Sequence, residues 1–185
     1  METDKLKFQW TSSDGGPLLL IEEKSLLNWE GSDAPSNGRV VEANFRWGLE
    51  VATDYDRTCD VEDWLGLINV GEGKAIVLGG DETATTWLDL IEKREGMLVR
   101  WIYADSDEDA VNKAKSLFDE LGKEESFEFK VGDSDLILFS AAESGEYKIS
   151  PRLKFNLESG DYKIFTIEYK DEQTSIICHR FGKIV

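Results

Sequence analysis

From residue 126 to the C-terminus, apolar and polar side chains alternate with a period of two, in short runs cut by turn formers. Neighbouring side chains on an extended chain point to opposite faces, so this pattern specifies half-buried strands and cannot sit on a helix. Residues 127–131, 136–139, 147–149, 153–157, 162–169 and 174–181 are the candidate strands, separated by Gly-Asp, Ser-Gly and Lys-Asp-Glu-Gln turns. Turn signals at ~8–12-residue spacing favour antiparallel hairpins packed as a sheet or small sandwich, here a C-terminal β-meander.

Residues 1–125 are organised differently. Residues 7–13 read as a strand, Asp14-Gly15-Gly16-Pro17 as a tight turn, and Leu18-Leu19-Leu20-Ile21 as a buried strand. Residues 25–29 fit one helical turn closed by Gly31, residues 32–38 an exposed loop, and residues 40–47 an imperfectly alternating strand. The polar, acidic and aromatic tract 54–64 reads either as an irregular surface loop or as a short helix capped by Asp60. A hairpin is expected over residues 67–78, with strands over 83–90 and 97–103, the second launched by Gly96. One amphipathic helix stands out at about residues 106–121: Ser106 caps it, Asp107, Glu108 and Asp109 meet the positive end of its dipole, and Gly122 ends it. Ala110, Val111, Ala114, Leu117, Phe118 and Leu121 share its apolar face. The expected fold class is α+β, mainly antiparallel β-sheet with this one well-defined helix. An acidic, Trp-rich α+β region (1–125) and a β-meander packed on it (126–185) should form one domain, since no repeat or low-complexity linker divides them and 41% hydrophobic residues suffice for a core.

Charge is unevenly placed. The formal net charge is −17; residues 1–125 hold 28 acidic against 13 basic side chains, and residues 126–185 hold 10 against 8. All six tryptophans also fall in residues 1–125. Acid and aromatic side chains together suit a surface that captures a basic partner, because negative potential speeds encounter and desolvated rings hold the complex. Nucleic acid and anionic membranes are disfavoured as partners, since both demand the opposite sign. No ~18-residue apolar run and no apolar N-terminal stretch occurs, which leads us to expect a cytoplasmic protein. Cys59 and Cys178 belong to no metal or redox spacing and read as small buried hydrophobes.

Motifs of chemistry fail on inspection. Counted from Asp105, a calcium loop needs Gly at its sixth position and Glu at its twelfth, where this chain has Ala110 and Ser116. Gly71-Glu72-Gly73-Lys74 lacks phosphate-loop spacing and lies between two strands. The single histidine, His179, is adjacent to Cys178 on a strand, so the two face opposite ways and form no dyad; His179 is expected at the surface or a sheet edge. With 38 carboxylates, nothing selects a catalytic pair. The expectation is a protein that is not an enzyme and needs no cofactor or metal.

Four segments in order carry a resemblance: residues 10–20 (Trp-Thr-Ser-Ser-Asp-Gly-Gly-Pro-Leu-Leu-Leu), residues 54–59 (Asp-Tyr-Asp-Arg-Thr-Cys), residues 73–79 followed by Thr86-Trp87, and residues 98–101 (Leu-Val-Arg-Trp) leading into Ala104-Asp105-Ser106. Residues 138–145 and 159–162 extend it over nearly the whole chain, with Ser140 standing where an aspartate is expected. Together they resemble the immunity protein 21 family of bacterial polymorphic toxin systems. The resemblance implies an antitoxin that binds and neutralises a cognate toxin domain by stoichiometric inhibition, and the acidic charge leads us to expect a basic, nuclease-type toxin. The expected partner-binding face comprises Trp47, Asp54, Tyr55, Asp56, Asp60, Glu62 and Asp63, with Asp105 and Asp107, because these combine charge density with aromatic side chains outside the strong strand patterns. Core packing competes for Tyr55 and Trp64, and helix capping for Asp105 to Asp109. The alternative function is an acidic scaffold or small-ligand-binding module.

Overall fold

Short β-rich runs assemble into two antiparallel sheets whose strand orders do not follow the chain. The computed structural model describes residues 8–13, 15–36, 42–80, 83–90, 95–119 and 126–184. In chain order its elements are β1 (Trp10–Thr11), β2 (Leu18–Glu22), a 3-10 helix (Glu23–Asn28), α1 (Asp54–Cys59), β3 (Leu65–Val70), β4 (Gly73–Leu78), β5 (Ala84–Leu90), β6 (Glu95–Tyr103), α2 (Asp107–Leu117), β7 (Ser126–Val131), β8 (Leu136–Ser140), β9 (Leu153–Phe155), β10 (Gly160–Lys170) and β11 (Ser175–Lys183). This is the α+β, mainly antiparallel architecture that the patterning specifies. Two compact units form, neither contiguous in sequence: Met1–Trp10 with Ala84–Glu128 and Tyr162–Val185, and Thr11–Thr83 with Phe129–Asp161. The strands after residue 126 are therefore shared out, β8 and β9 to one sheet and β7, β10 and β11 to the other.

Most of the sheet β1-β5-β6-β11-β10-β7 belongs to the first unit. Leu88, Met97, Val99, Ile176 and Cys178 project from one face of this sheet. They bury against Ala110, Val111, Ala114, Leu117 and Phe118 of α2, the face that the helical spacing selects. Ser106 caps α2, its hydroxyl accepting the Asp109 N–H at 3.1 Å. The opposite face of the same strands holds Arg100 and His179, exposed by 1% and 0%. His179 pairs in register with Leu98 of β6 and Thr166 of β10, and its Nδ1 lies 2.9 Å from Thr166 Oγ1.

The second unit carries the sheet β3-β4-β2-β8-β9. β2 is central and all five of its residues are buried, which is why it reads as a continuous apolar run and not as alternation. On one face Leu19, Ile21, Val77, Ile137 and Phe139 gather around Trp29, with Tyr55 and Val61 packed at the margin. The β3–β4 hairpin turns where expected, Val70 pairing with Gly73 and Gly71 adopting φ +61°.

Several expectations are corrected. The first strand is confined to Trp10–Thr11. Residues 42–47 and 147–149 are not strands, because side-chain carboxylates take the backbone amides that a ladder would use, as described below. Residues 54–59 form a helix capped by Thr53, and Asp60 stands at its other end. α2 ends at Leu117 and not at residue 121, because Phe118 N–H turns back to Lys115 O and Arg180 Nη1 donates to Phe118 O at 3.3 Å. His179 is neither at the surface nor at an edge, since β11 lies between β6 and β10. Lys7, Asp14, Asn37, Gly38, Val40, Leu121 and Gly122 lie outside the described residues.

Burial, and then the neighbouring Arg100 charge, hold the His179 pKa well below its ordinary 6.5. The folded chain therefore keeps a neutral imidazole at a pH where the unfolded chain takes up a proton. Stability contributed this way is complete above pH 6.5 and is lost as pH falls below it, at up to about 1.4 kcal/mol per pH unit. Urea unfolding at about pH 7 and about pH 5.5 should show a loss of roughly 1 kcal/mol. His179→Gln should flatten that slope, and an already flat wild-type profile contradicts the assignment.

Candidate functional site

Thr53-Asp54-Tyr55-Asp56 opens α1 as a reciprocal capping box: Asp56 N–H donates to Thr53 Oγ1 at 3.2 Å and Thr53 N–H to Asp56 Oδ2 at 2.8 Å. The carboxylates of this segment then reach outward to backbone. Asp56 Oδ1 accepts the Trp47 N–H at 2.8 Å. Asp60 accepts those of Asn44 at 2.6 Å and Phe45 at 2.8 Å. Asp54, fully buried, accepts the Glu30 N–H at 3.0 Å and pairs with Arg57 at 2.5 Å. Arg57 in turn donates to Asn69 O at 2.9 Å and stands 5.7 Å above the Trp29 ring.

A second loop is held the same way. Glu143 accepts the N–H groups of Ile149 at 3.3 Å and Ser150 at 3.1 Å. Arg152 donates to the carbonyls of Gly145 at 3.0 Å, Ser144 at 2.8 Å and Tyr147, while its guanidinium lies 4.5 Å above the Phe139 ring. Trp29 ties this loop to the sheet, its indole N–H donating to Ala141 O at 2.9 Å and its carbonyl accepting Gly145 N–H at 2.8 Å.

Between these loops and the Gly15-Gly16-Pro17 turn lies an open cleft of about 840 Å³. Its described aromatic lining is Phe45, Trp47, Tyr55 and Tyr147, and its described charged lining is Glu30, Asp33, Glu143 and Glu146, with no lysine or arginine among the described lining residues. Glu143 is engaged by two amides and by Arg152 at 3.8 Å, so Glu30, Asp33 and Glu146 carry the cleft's net charge. Trp47 and Tyr147 are each 63% exposed and Ile149 is 78% exposed. Large apolar side chains held out in one place on a folded surface mark an interaction site. Gly16 permits the cleft floor, because any side chain there would collide with the Tyr55 hydroxyl. Among the described residues no group of three or more His, Cys, Asp or Glu side chains could hold a metal ion.

The sequence-selected residues divide into three sets. Trp47 and Tyr55 line the cleft. Asp54, Asp56 and Asp60 support it from behind, and the first two are wholly buried, so their carboxylates hold backbone and present no charge to a partner. Glu62 and Asp63 are exposed on the turn after α1. Asp105 and Asp107 belong to the other unit at the start of α2, where Asp107 Oδ1 accepts the Glu108 N–H at 2.9 Å. Sequence reasoning missed Phe45, Tyr147 and Ile149, because β-propensity assigned their segments to strands. The signal against that was local: the imperfect alternation of 40–47, and a three-residue run, 147–149, closed by Ser150-Pro151.

Carboxylates and projecting rings thus stand side by side in one cleft of the Thr11–Thr83, Phe129–Asp161 unit. The chain belongs to the immunity protein 21 family, whose model matches residues 9–175, so it is an immunity protein and its implied partner is a toxin. No curated protein matches the chain, and no solved structure matches it. No helix among the described residues is long and apolar enough to cross a membrane.

Asp56→Asn keeps the shape but turns one acceptor into a donor facing a buried N–H. Leaving that amide unsatisfied costs about 1–3 kcal/mol. The variant should unfold at correspondingly lower urea, and hydrogen exchange should quicken at whichever of Trp47 and Thr53 faces the new NH₂ group. Unchanged exchange at both Trp47 and Thr53 contradicts the anchoring role.

Proposed function

We propose that this immunity protein neutralises its toxin by stoichiometric binding, and that the acidic aromatic cleft of the Thr11–Thr83, Phe129–Asp161 unit is the surface it binds with. The observation that carries this reading is the exposure of Trp47, Tyr147 and Ile149 around three carboxylates, at a place the fold holds open with carboxylate–amide hydrogen bonds. Folding alone does not require such rings at the surface, whereas a partner that desolvates them gains the type of anchor that dominates protein interfaces.

The toxin that fits is basic. A nuclease-type toxin carries positive potential around its active site because its substrate is polyphosphate. A chain of net charge −17 is drawn to such a domain at long range, and opposite fields raise association rates toward ~10⁸–10⁹ M⁻¹s⁻¹ at low salt. In this reading Glu62, Asp63, Asp105 and Asp107 contribute to the steering field, Trp47 and Tyr55 make contact, and Asp54, Asp56 and Asp60 act only by holding the contact residues in place.

Co-expression with the toxin domain encoded beside this chain should restore growth, and the purified pair should elute as a 1:1 complex. Trp47→Ala should weaken the complex about 30-fold or more, the effect of an interface anchor worth ~2 kcal/mol. The association rate should fall steeply as salt rises, since charges are screened beyond ~8 Å at physiological ionic strength. Absence of a complex overturns the reading, and a salt-independent association rate overturns its electrostatic part.

A further inference from the structure

The cleft's chemistry narrows what the partner must offer. Its lining combines two features, the rings of Phe45, Trp47 and Tyr147 and the carboxylates of Glu30, Asp33 and Glu146. An aromatic face attracts a cation through its quadrupole, and a carboxylate accepts paired N–H donors from a planar fork. An ammonium satisfies the charge but neither stacks nor forks, whereas a guanidinium does both. The volume, about 840 Å³, lies within the ~300–1,000 Å³ of clefts that enclose a drug-sized ligand, so it holds a short peptide segment and not one side chain alone. The negative sign of the described lining favours a cationic occupant over an anionic one.

Resting on the function proposed above, we infer that the cleft receives an arginine-bearing segment of the toxin. Its guanidinium stacks on the exposed aromatic wall and hydrogen-bonds to the carboxylates of Glu30, Asp33 and Glu146. The apolar edge of the segment lies against Ile149, which is exposed beside Tyr147 and lines the same cleft. The loops that carry these groups are already anchored through Asp56, Asp60, Glu143 and Arg152, so the wall needs little ordering when the segment arrives.

The test titrates the full chain with acetyl-Gly-Arg-Gly-amide, with the same peptide carrying Lys or Gln in place of Arg, and with spermidine as a non-peptide cation. The readout is the NMR signals of the Trp47 indole and Tyr147 ring, which detect even millimolar affinity. The arginine peptide should move both rings and bind about fivefold or more tighter than the lysine peptide and spermidine, with the glutamine peptide weakest. Trp47→Ala and the combined Glu30→Gln, Asp33→Asn, Glu146→Gln variant should each abolish the response. No shift at these rings, or equal response to arginine, lysine and spermidine, overturns the arginine assignment. The underlying reading fails separately, if both variants still bind and neutralise the toxin domain as the wild type does. Toxin binding lost in the variants without any arginine-peptide response would leave that reading standing and remove only this one.

Discussion

Two loops of the Thr11–Thr83, Phe129–Asp161 unit are anchored by one device. Asp56 and Asp60 take the amides of Asn44, Phe45 and Trp47, and Glu143 takes those of Ile149 and Ser150. A backbone N–H must be satisfied somewhere, and a carboxylate accepts it more strongly than a neutral acceptor does. Once these amides are spent on side chains, the segments cannot join a sheet, and their aromatic residues are not drawn into a pleated core face. The exposure of Trp47 and Tyr147 follows from where Asp56 and Glu143 stand.

Those acids are in turn held by packing below them. Trp29 is buried at the centre of the Leu19, Ile21, Val77, Ile137 and Phe139 cluster and bonds to the chain on both sides of Ala142. Arg57 and Arg152 then spread over aromatic faces, Arg57 on Trp29 and Arg152 on Phe139, while each donates to backbone carbonyls of a neighbouring segment. Gly31, at φ +69°, itself lies against the backbone of residues 142–144, a separation that a Cβ would not allow, and its carbonyl accepts the Tyr55 N–H of α1. Core, cations, carboxylates and exposed rings thus form one sequence of dependence.

The acidic surplus therefore has two physical uses. Carboxylates inside the fold, Asp54 and Asp56 above all, serve as fixed acceptors and add nothing to the outward field that a partner meets. Carboxylates in the cleft and on exposed turns generate that field. Composition counts both kinds alike, which is why charge density along the chain does not distinguish carboxylates that hold backbone, such as Asp54 and Asp56, from those that face solvent.

What the sequence determined by itself was whatever depends on neighbours along the chain. The hairpin at 67–78, the Ser106 cap and apolar face of α2, and the fully buried run at 18–21 are all settled by periodicity and turn chemistry. The ordered motifs likewise carried the family likeness that the matched residues 9–175 bear out. Tertiary structure alone decided which strands share a sheet, that His179 lies in a central strand, and that 42–47 and 147–149 are loops. Those outcomes turn on hydrogen bonds between groups far apart in sequence, such as Asp60 with Phe45, 15 residues away, and on burial by strands that arrive from elsewhere in the chain. Local propensity carries no information about which distant acceptor will reach an amide first, and in this protein that competition places the aromatic residues of the cleft.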